Sequence, residues 1–124
     1  RKKRRMMPKV SIKGADISIL TAEDPRTESL DAILEDMAQA AIEAGGVEGV
    51  NFYRVPDRGD AIRKAVELAQ PGDTIVAQGK GHEQSMCFID TEYLWDDRTA
   101  MHAALAEHLG VEGPEMPWLP TSTR

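Results

Sequence analysis

The chain has 124 residues, of which 41% are hydrophobic and 29% charged, as is usual for one globular domain with a core of its own. Residues 1–5 are all basic, and the rest of the chain carries 10 basic against 21 acidic side chains, a net charge of −11. An acidic body excludes general nucleic-acid binding, and no apolar run approaches the roughly 20 residues of a membrane-spanning helix. We interpret the basic start as a solvated first helical turn rather than a nucleic-acid arm or a targeting signal. The single Cys87 cannot form an internal disulfide, which fits a reducing cytoplasm.

Strand-like and helix-like patterns alternate through most of the chain. A helix interrupted by Pro8 is predicted over residues 1–14. An apolar stripe with Ser29 as its N-cap predicts a second helix that ends at a Gly-Gly pair, and Asp57 is expected to cap a third. Strands are predicted at Ile17–Leu20, Asn51–Val55 and Thr74–Ala77, the last of them a continuous apolar run of the kind buried in a parallel sheet.

After the third predicted strand the pattern changes. Two short segments around Asp90 and Thr91 predict a β-hairpin, and Asp96 or Asp97 is expected to cap a last helix. The inward face of that helix is predicted to consist of Met101, Leu105 and Leu109. Residues 110–124, a polar stretch with three prolines, are predicted to form a tail that is ordered at first and then frayed.

Alternating strands and helices predict an α/β fold: a Rossmann-like, mostly parallel sheet flanked by helices, with a closing antiparallel hairpin. Residues 1–109 form the domain in this prediction. Ligands of open α/β sheets bind just beyond the carboxyl ends of the strands. Residues 21–28 follow the first predicted strand and residues 79–83 follow the third, so we expect these two loops at the same rim of the sheet.

The two loops carry groups that suit a small zwitterion. Arg26 offers a planar fork that pairs with a carboxylate, and Pro25 stiffens the loop around it. Glu83 can accept hydrogen bonds from an ammonium group, and Gly79 allows a close backbone approach beside it. The alternative for Arg26, a surface ion pair with a nearby glutamate, has even odds from spacing alone. For the other two residues the alternatives are an exposed carboxylate and a tight turn.

These loops contain no complete catalytic site. Lys80 is followed by Gly81 rather than Ser or Thr, so the phosphate-loop pattern fails, and His82 has no nucleophile beside it. We interpret Asp57-Arg58 and Asp97-Arg98 alike, as a capping Asp followed by a solvent-facing Arg. No Cys/His spacing matches a zinc site. The residues by themselves support an amino-acid-binding or carboxylate-binding domain.

Two motifs together resemble a known family. Residues 23–26 (Glu-Asp-Pro-Arg) and 79–83 (Gly-Lys-Gly-His-Glu), in this order, are similar to the C-terminal domain of the Mur ligases. The resemblance is greatest to the members that add the third residue of the peptidoglycan stem peptide. Weaker support comes from residues 57–62, 71–73 and 95–98, and the resemblance extends over roughly residues 1–109.

This resemblance implies an ADP-forming acid–amino-acid ligase, which activates a carboxyl group with ATP as an acyl phosphate. The substrates would be UDP-N-acetylmuramoyl-dipeptide and an amino acid, and the enzyme would act in the cytoplasm without nucleic acid or a membrane. ATP and Mg²⁺ would be bound mainly by a central domain upstream. We therefore expect the chain to be a fragment that lacks the first strand of its domain and neither hydrolyses ATP nor ligates alone.

The resemblance also assigns residues to the incoming amino acid. Arg26 would hold its distal carboxylate, and Glu83 with the Gly79 backbone would hold its distal ammonium. The implied binding residues are Asp24, Pro25, Arg26, Gly79 and Glu83, with Glu23, Lys80, Gly81 and His82 in support. No catalytic residue and no metal ligand is assigned to this chain.

The first loop departs from the Asp-Asn-Pro-Arg sequence that is usual in the members adding diaminopimelate. Glu23 and Asp24 stand in place of the Asp-Asn pair. Retained Arg26 favours diaminopimelate, whereas the negative charge of Asp24 favours a side chain ending in a bare ammonium, such as lysine or ornithine. The resemblance leaves the added amino acid open.

Other functions compete with this one. Another amide ligase of the same superfamily, such as a folylpolyglutamate synthetase, is disfavoured by the loop at residues 79–83. A non-catalytic amino-acid-binding module would use the same loops without chemistry. A nucleic-acid-binding accessory built on residues 1–5 would show steeply salt-dependent binding.

Overall fold

The structure, a computed structural model, describes residues 2–80 and 82–122 and the side chains from Arg4 onward. Gly81, one of the predicted supporting residues, lies outside this part of the chain. The helices are α1 (Lys2–Gly14), α2 (Leu30–Glu43), α3 (Arg58–Leu68) and α4 (Asp97–Leu109). The strands are β1 (Ser18–Leu20), β2 (Phe52–Arg54), β3 (Ser85–Phe88) and β4 (Thr91–Leu94).

The predicted α/β class is confirmed. Strands β1 and β2, joined through α2, pair in parallel with Ser18 opposite Phe52. Strands β3 and β4 form the expected antiparallel hairpin, in which Phe88 lies opposite Thr91. Among the described residues the two pairs remain separate two-stranded sheets, so the parallel sheet is smaller than predicted.

The helix boundaries follow the predicted capping residues. The Ser29 and Asp57 side chains accept backbone N–H bonds at the starts of α2 and α3. Of the two candidates at α4, Asp96 is the cap, and Asp97 is already helical. Gly110, with φ of 67°, ends α4 in the left-handed conformation that glycine tolerates.

The predicted strand at Thr74–Ala77 is wrong. These residues join no ladder with another described strand, and Val76 is 66% exposed. An apolar run becomes a buried strand only where a neighbouring strand completes its backbone hydrogen bonds, and no described strand pairs with it here. Ile75 alone packs against the core.

Two apolar clusters form the core. One is centred on Phe52 and lies between α2 and the parallel strands, with Ile12 of α1 packed against it. The other joins α3, α4, the hairpin and the tail; its buried members are Ala22, Ile62, Val66, Met86, Trp95, Ala100, Ala104 and Leu119. Ala22 follows β1, so the second cluster reaches the first of the two loops.

The predicted inward face of α4 is wrong at two of its three residues. Leu105 is 41% exposed and Leu109 67% exposed, whereas Met101 is partly buried and packs against the core as predicted. The buried side chains of this helix are instead those of Asp97 and four alanines. Small side chains let neighbouring backbone approach: at Gly113 of the tail, a Cβ would lie 2.5 Å from that of Ala106.

The tail is ordered through Ser122. Leu119 is fully buried, and the Trp118 ring lies edge-on to Tyr93 with centroids 6.0 Å apart. Thr121 Oγ1 donates a hydrogen bond of 2.7 Å to the Asp57 carboxylate, at the start of α3. Residues 123–124, the end of the predicted frayed segment, lie outside the described part of the chain.

Helix α1 is continuous through Pro8, and its basic residues are not simply solvated. Arg4 pairs with Glu28 at 2.6 Å, and Arg5 pairs with Asp36 and Glu43 on α2. These contacts hold α1 against α2, which corrects the interpretation of the basic start at Arg4 and Arg5; the side chains of residues 1–3 lie outside the described part of the chain. No helix within residues 2–80 or 82–122 is long and apolar enough to cross a membrane.

Candidate functional site

The two loops meet through the side chain of Lys80. Its ammonium lies 2.9 and 3.0 Å from the two carboxylate oxygens of Asp24 and 3.0 Å from Glu83 Oε1. Asp24 Oδ1 also accepts the backbone N–H of Cys87 at 2.8 Å. One ammonium thus ties the loop after β1, the second loop and strand β3 together.

Lys80 is the most enclosed charge of this cluster, with a side chain only 1% exposed. Burial by itself would lower its pKa, but the hydrogen bonds to Asp24 and Glu83 outweigh burial and raise the pKa above its ordinary value. Lys80 is therefore a permanent cation with its partners in place. Sequence reasoning placed it only among the supporting residues.

Gly79 is required by a close approach to Glu23. Its φ is +101°, and a Cβ there would lie 3.0 Å from the Glu23 carboxyl carbon. Only glycine adopts that conformation without strain, and only glycine leaves room for the carboxylate. This is a second contact between the loops.

Arg26 is held by its backbone and free at its side chain. Its N–H donates to the Cys87 carbonyl at 3.1 Å, and its own carbonyl accepts from the Ile89 N–H at 2.7 Å. These bonds hold a non-glycine residue at φ of 56°. The guanidinium is exposed, and neither a hydrogen bond nor an ion pair joins it to another described residue.

The remaining predicted site residues lie around this cluster. Pro25 is buried, whereas His82 and Glu83 are exposed. The Glu83 N–H donates to the Lys80 carbonyl at 3.0 Å, which closes the turn between them. The structure thus brings Glu23, Asp24, Gly79, Lys80 and Glu83 together and leaves Arg26 pointing at solvent beside them.

The prediction of a solvent-facing Arg58 is wrong. This side chain is 5% exposed, and its Nε and Nη2 donate to the two oxygens of Asp97, both at 2.8 Å. Asp97 also accepts from Trp95 Nε1 at 2.7 Å. Burial by itself would raise the pKa of Asp97, but the Arg58 and Trp95 hydrogen bonds outweigh burial and hold it below its usual range. By contrast, the side chain of Arg98 is 75% exposed, as predicted.

One signal in the sequence distinguishes the two Asp-Arg pairs. Arg58 is followed by Gly59, and a Cβ there would lie 3.1 Å from the Met116 side chain. Thr99 stands at the matching position after Arg98. A glycine in the first turn of a helix, where it costs stability, indicates close packing at that end.

Two other types of site are absent here. Burial is the main cause that raises the pKa of the Cys87 thiol, so this cysteine is not an activated nucleophile. Within residues 2–80 and 82–122, no group of three or more His, Cys, Asp or Glu is placed to hold a metal ion.

The sequence matches a family described as "Mur ligase, glutamate ligase domain" over residues 1–81. Among curated proteins, it is 40% identical over 110 residues to the UDP-N-acetylmuramoyl-L-alanyl-D-glutamate–2,6-diaminopimelate ligase of Listeria innocua, covering 88% of this chain and 21% of that protein. It is 39% identical over 113 residues to the UDP-N-acetylmuramyl-tripeptide synthetase of Roseiflexus sp., covering 91% of this chain and 22% of that protein.

A solved structure gives the same result. The structure of a UDP-N-acetylmuramoyl-L-alanyl-D-glutamate–2,6-diaminopimelate ligase superposes with a TM-score of 0.73 and 35% identity, covering 86% of this chain and 21% of that one. The chain spans about a fifth of the length of the curated relatives it matches.

Proposed function

We propose that this chain, which belongs to the Mur ligase family, is the amino-acid-binding domain of a ligase that adds the third residue to UDP-N-acetylmuramoyl-dipeptide. The whole enzyme would couple this addition to cleavage of ATP to ADP, in the cytoplasm, during peptidoglycan synthesis. Relatives that are 36% and 39% identical to this chain over 107 and 113 residues carry the names of such ligases. The upstream domains of the same polypeptide would be its immediate partners.

One observation carries the proposal: the guanidinium of Arg26 is exposed and has no hydrogen bond or ion pair with another described residue, and the neighbouring residues Glu23 and Asp24 contact the loop that carries Glu83. An amino acid with a distal carboxylate and a distal ammonium matches this separation of charge. In the proposed complex Arg26 holds the carboxylate. Glu83 and the Gly79 carbonyl hold the ammonium, with Pro25 and Asp24 shaping the loop.

The contacts of Asp24 favour diaminopimelate over lysine or ornithine. Both Asp24 oxygens lie against Lys80, and one of them also accepts the Cys87 N–H. Both oxygens of Asp24 are therefore occupied within the protein and are not free to attract a bare terminal ammonium, whereas Glu83 contacts Lys80 through Oε1 alone and is 56% exposed. The Arg26 guanidinium has no hydrogen bond or ion pair with another described residue, so the recognition falls to the group that binds a carboxylate.

The nucleotide and its metal belong elsewhere in the enzyme in this proposal. The described residues contain no cluster that fits Mg²⁺, and no phosphate-loop motif is present in the sequence. ATP and Mg²⁺ would be bound mainly by the upstream domains of the same polypeptide. The residues of this chain bind and orient the amine that attacks the activated carboxyl group.

The test is phosphate release by the intact polypeptide that contains this chain. The assay contains ATP, Mg²⁺ and UDP-N-acetylmuramoyl-L-Ala-D-Glu, with diaminopimelate, lysine or ornithine added separately. We expect diaminopimelate to stimulate release most strongly. Stimulation by lysine or ornithine instead would overturn the assignment of Arg26, and no stimulation from a folded enzyme would favour another amide ligase or a binding module.

The Arg26→Lys variant tests the carboxylate contact. Lysine keeps the charge but loses the two parallel hydrogen bonds, so KM for diaminopimelate should rise about ten-fold or more. The matched control is Arg98→Lys, an exposed arginine at the start of α4 whose side chain, among the described residues, pairs with Asp96 alone. An equal rise of KM in both variants would refute a specific role for Arg26.

A further inference from the structure

The guanidinium of Arg58 makes four hydrogen bonds, of which three are buried and one is partly buried. Two go to Asp97, as described above. The other two go to backbone carbonyls: Nη1 donates to Ala22 at 2.9 Å, and Nη2 donates to Gln78 at 3.0 Å. The guanidinium therefore links α3 and α4 to two segments that are far apart in sequence.

The two carbonyls mark the starts of the two loops. Ala22 directly precedes Glu23 and Asp24, and Gln78 directly precedes Gly79 and Lys80. Ala22 is only 1% exposed and belongs to the core. The segment before Gln78 joins no described ladder, so no strand pairing holds the base of the second loop in place. Arg58 supplies one of the fixed points of that loop.

An arginine is needed for this geometry. Its guanidinium is a rigid planar fork, so a single group can hold a carboxylate on one edge and two carbonyls on the others. The Trp95 indole N–H donates to the Asp97 carboxylate and fixes it. The carboxylate in turn fixes the orientation of the Arg58 guanidinium. A lysine has no fork and cannot span the same acceptors.

We infer that Arg58 is a positioning residue for the amino-acid site: it holds the starts of the two loops and thereby sets the spacing between Arg26 and Glu83. The role of Arg58 at the amino-acid site rests on the proposed function. Its hydrogen bonds to the two loops do not. Arg58 touches no ligand in this account. It acts through the backbone at Ala22 and Gln78.

The test uses Arg58→Lys in the intact polypeptide that contains this chain. Displaced loops bind the amino acid poorly, so KM for diaminopimelate should rise about ten-fold while kcat and KM for ATP change less than about two-fold. A purely structural role would instead lower the fraction of active enzyme, and thus kcat, with KM unchanged. Arg98→Lys is the matched control and should leave all three constants unaltered.

Hydrogen exchange separates this inference from the proposed function. In Arg58→Lys the amide of Arg26, bonded to the Cys87 carbonyl, should exchange faster, whereas amides in the middle of α2 should not. This readout needs no catalysis. Faster exchange in an enzyme without ligase activity would support Arg58 and refute the proposed function.

The contrary results are equally distinct. Unchanged exchange at the loops, or a fall in kcat alone, would overturn the inference. If Arg58→Lys does not fold, Asp97→Asn serves as the second variant, since it keeps the shape of Asp97 and weakens the orientation of the guanidinium. If neither variant shows a cooperative unfolding transition, neither is folded. That result would also overturn the inference, because Arg58 would then be needed for the fold rather than for the loops.

Discussion

The Lys80 ammonium lies in a place that water hardly reaches, and three carboxylate oxygens surround it. Removing one partner from a buried ion pair leaves the other charge desolvated and unpaired, which is more costly than losing the pair as a whole. Asp24, 20% exposed at its side chain, is the partner that would be left. The cluster therefore stabilises the fold as well as shaping the site.

We predict that Lys80→Met destabilises the protein by about 2 kcal/mol, a value below that of a fully buried pair because Glu83 is half exposed. Urea denaturation measures the difference. Lys64→Met is the control, since Lys64 is half-buried and its ammonium lies over the Tyr53 ring without an ion pair to any described carboxylate. Equal small effects in both variants would contradict the role given to Lys80.

Asp97 should make stability depend on acid pH. Its pKa is lower in the folded protein than in the unfolded chain, so its contribution is fully present above the unfolded value of about 3.9 and is lost as pH falls through the folded value. Asp97→Asn should therefore be less stable than the parent at pH 7, with a difference that shrinks below about pH 4. Urea denaturation across this range would refute the assignment if the difference stayed constant.

At the scale of the element, the buried and exposed residues of the tail and of α4 differ from those that the sequence pattern suggests. Leucines spaced along α4 look like its buried face, but Leu109 is mostly exposed and alanines face the core. The spacing of apolar residues cannot reveal which face is buried, because it does not show which segment of the chain packs against the helix. The Gly113 backbone lies close enough to Ala106 to exclude a larger side chain there.

Two leucines test this arrangement. Leu119→Ala, at a fully buried position in the tail, should cost about 3 kcal/mol, since it opens a cavity in the core. Leu109→Ala, 67% exposed on α4, should change stability by less than about 0.5 kcal/mol. A larger loss of stability in Leu109→Ala than in Leu119→Ala, measured by thermal or urea unfolding, would support the buried face of α4 predicted from the sequence.

Elements with local signals were predictable, and those fixed by distant partners were not. Ser29 and Asp57 mark helix starts because capping involves only a few neighbouring residues. The hairpin follows from its turn in the same way. Thr74–Ala77 has the composition of a strand, but strand formation depends on pairing with a segment far along the chain.

At the scale of the whole molecule, the site is a meeting of two loops from separate parts of the fold. Sequence reasoning predicted that the loops share one rim, because both follow strand-like segments. It missed the buried Arg58–Asp97 pair, because Asp-Arg at the start of α3 looks like Asp-Arg at the start of α4. Only the tertiary contacts distinguish the buried guanidinium of Arg58 from the solvated guanidinium of Arg98.

The central claim is that both loops form one amino-acid site, and hydrogen exchange on the intact polypeptide tests it most directly. Diaminopimelate would be added to enzyme saturated with UDP-N-acetylmuramoyl-dipeptide, and exchange followed in peptides covering residues 22–28 and 78–84. We predict that both become protected over the same range of concentration, with a single Kd. Protection of only one loop, or of neither while the enzyme binds the amino acid elsewhere, would contradict the account.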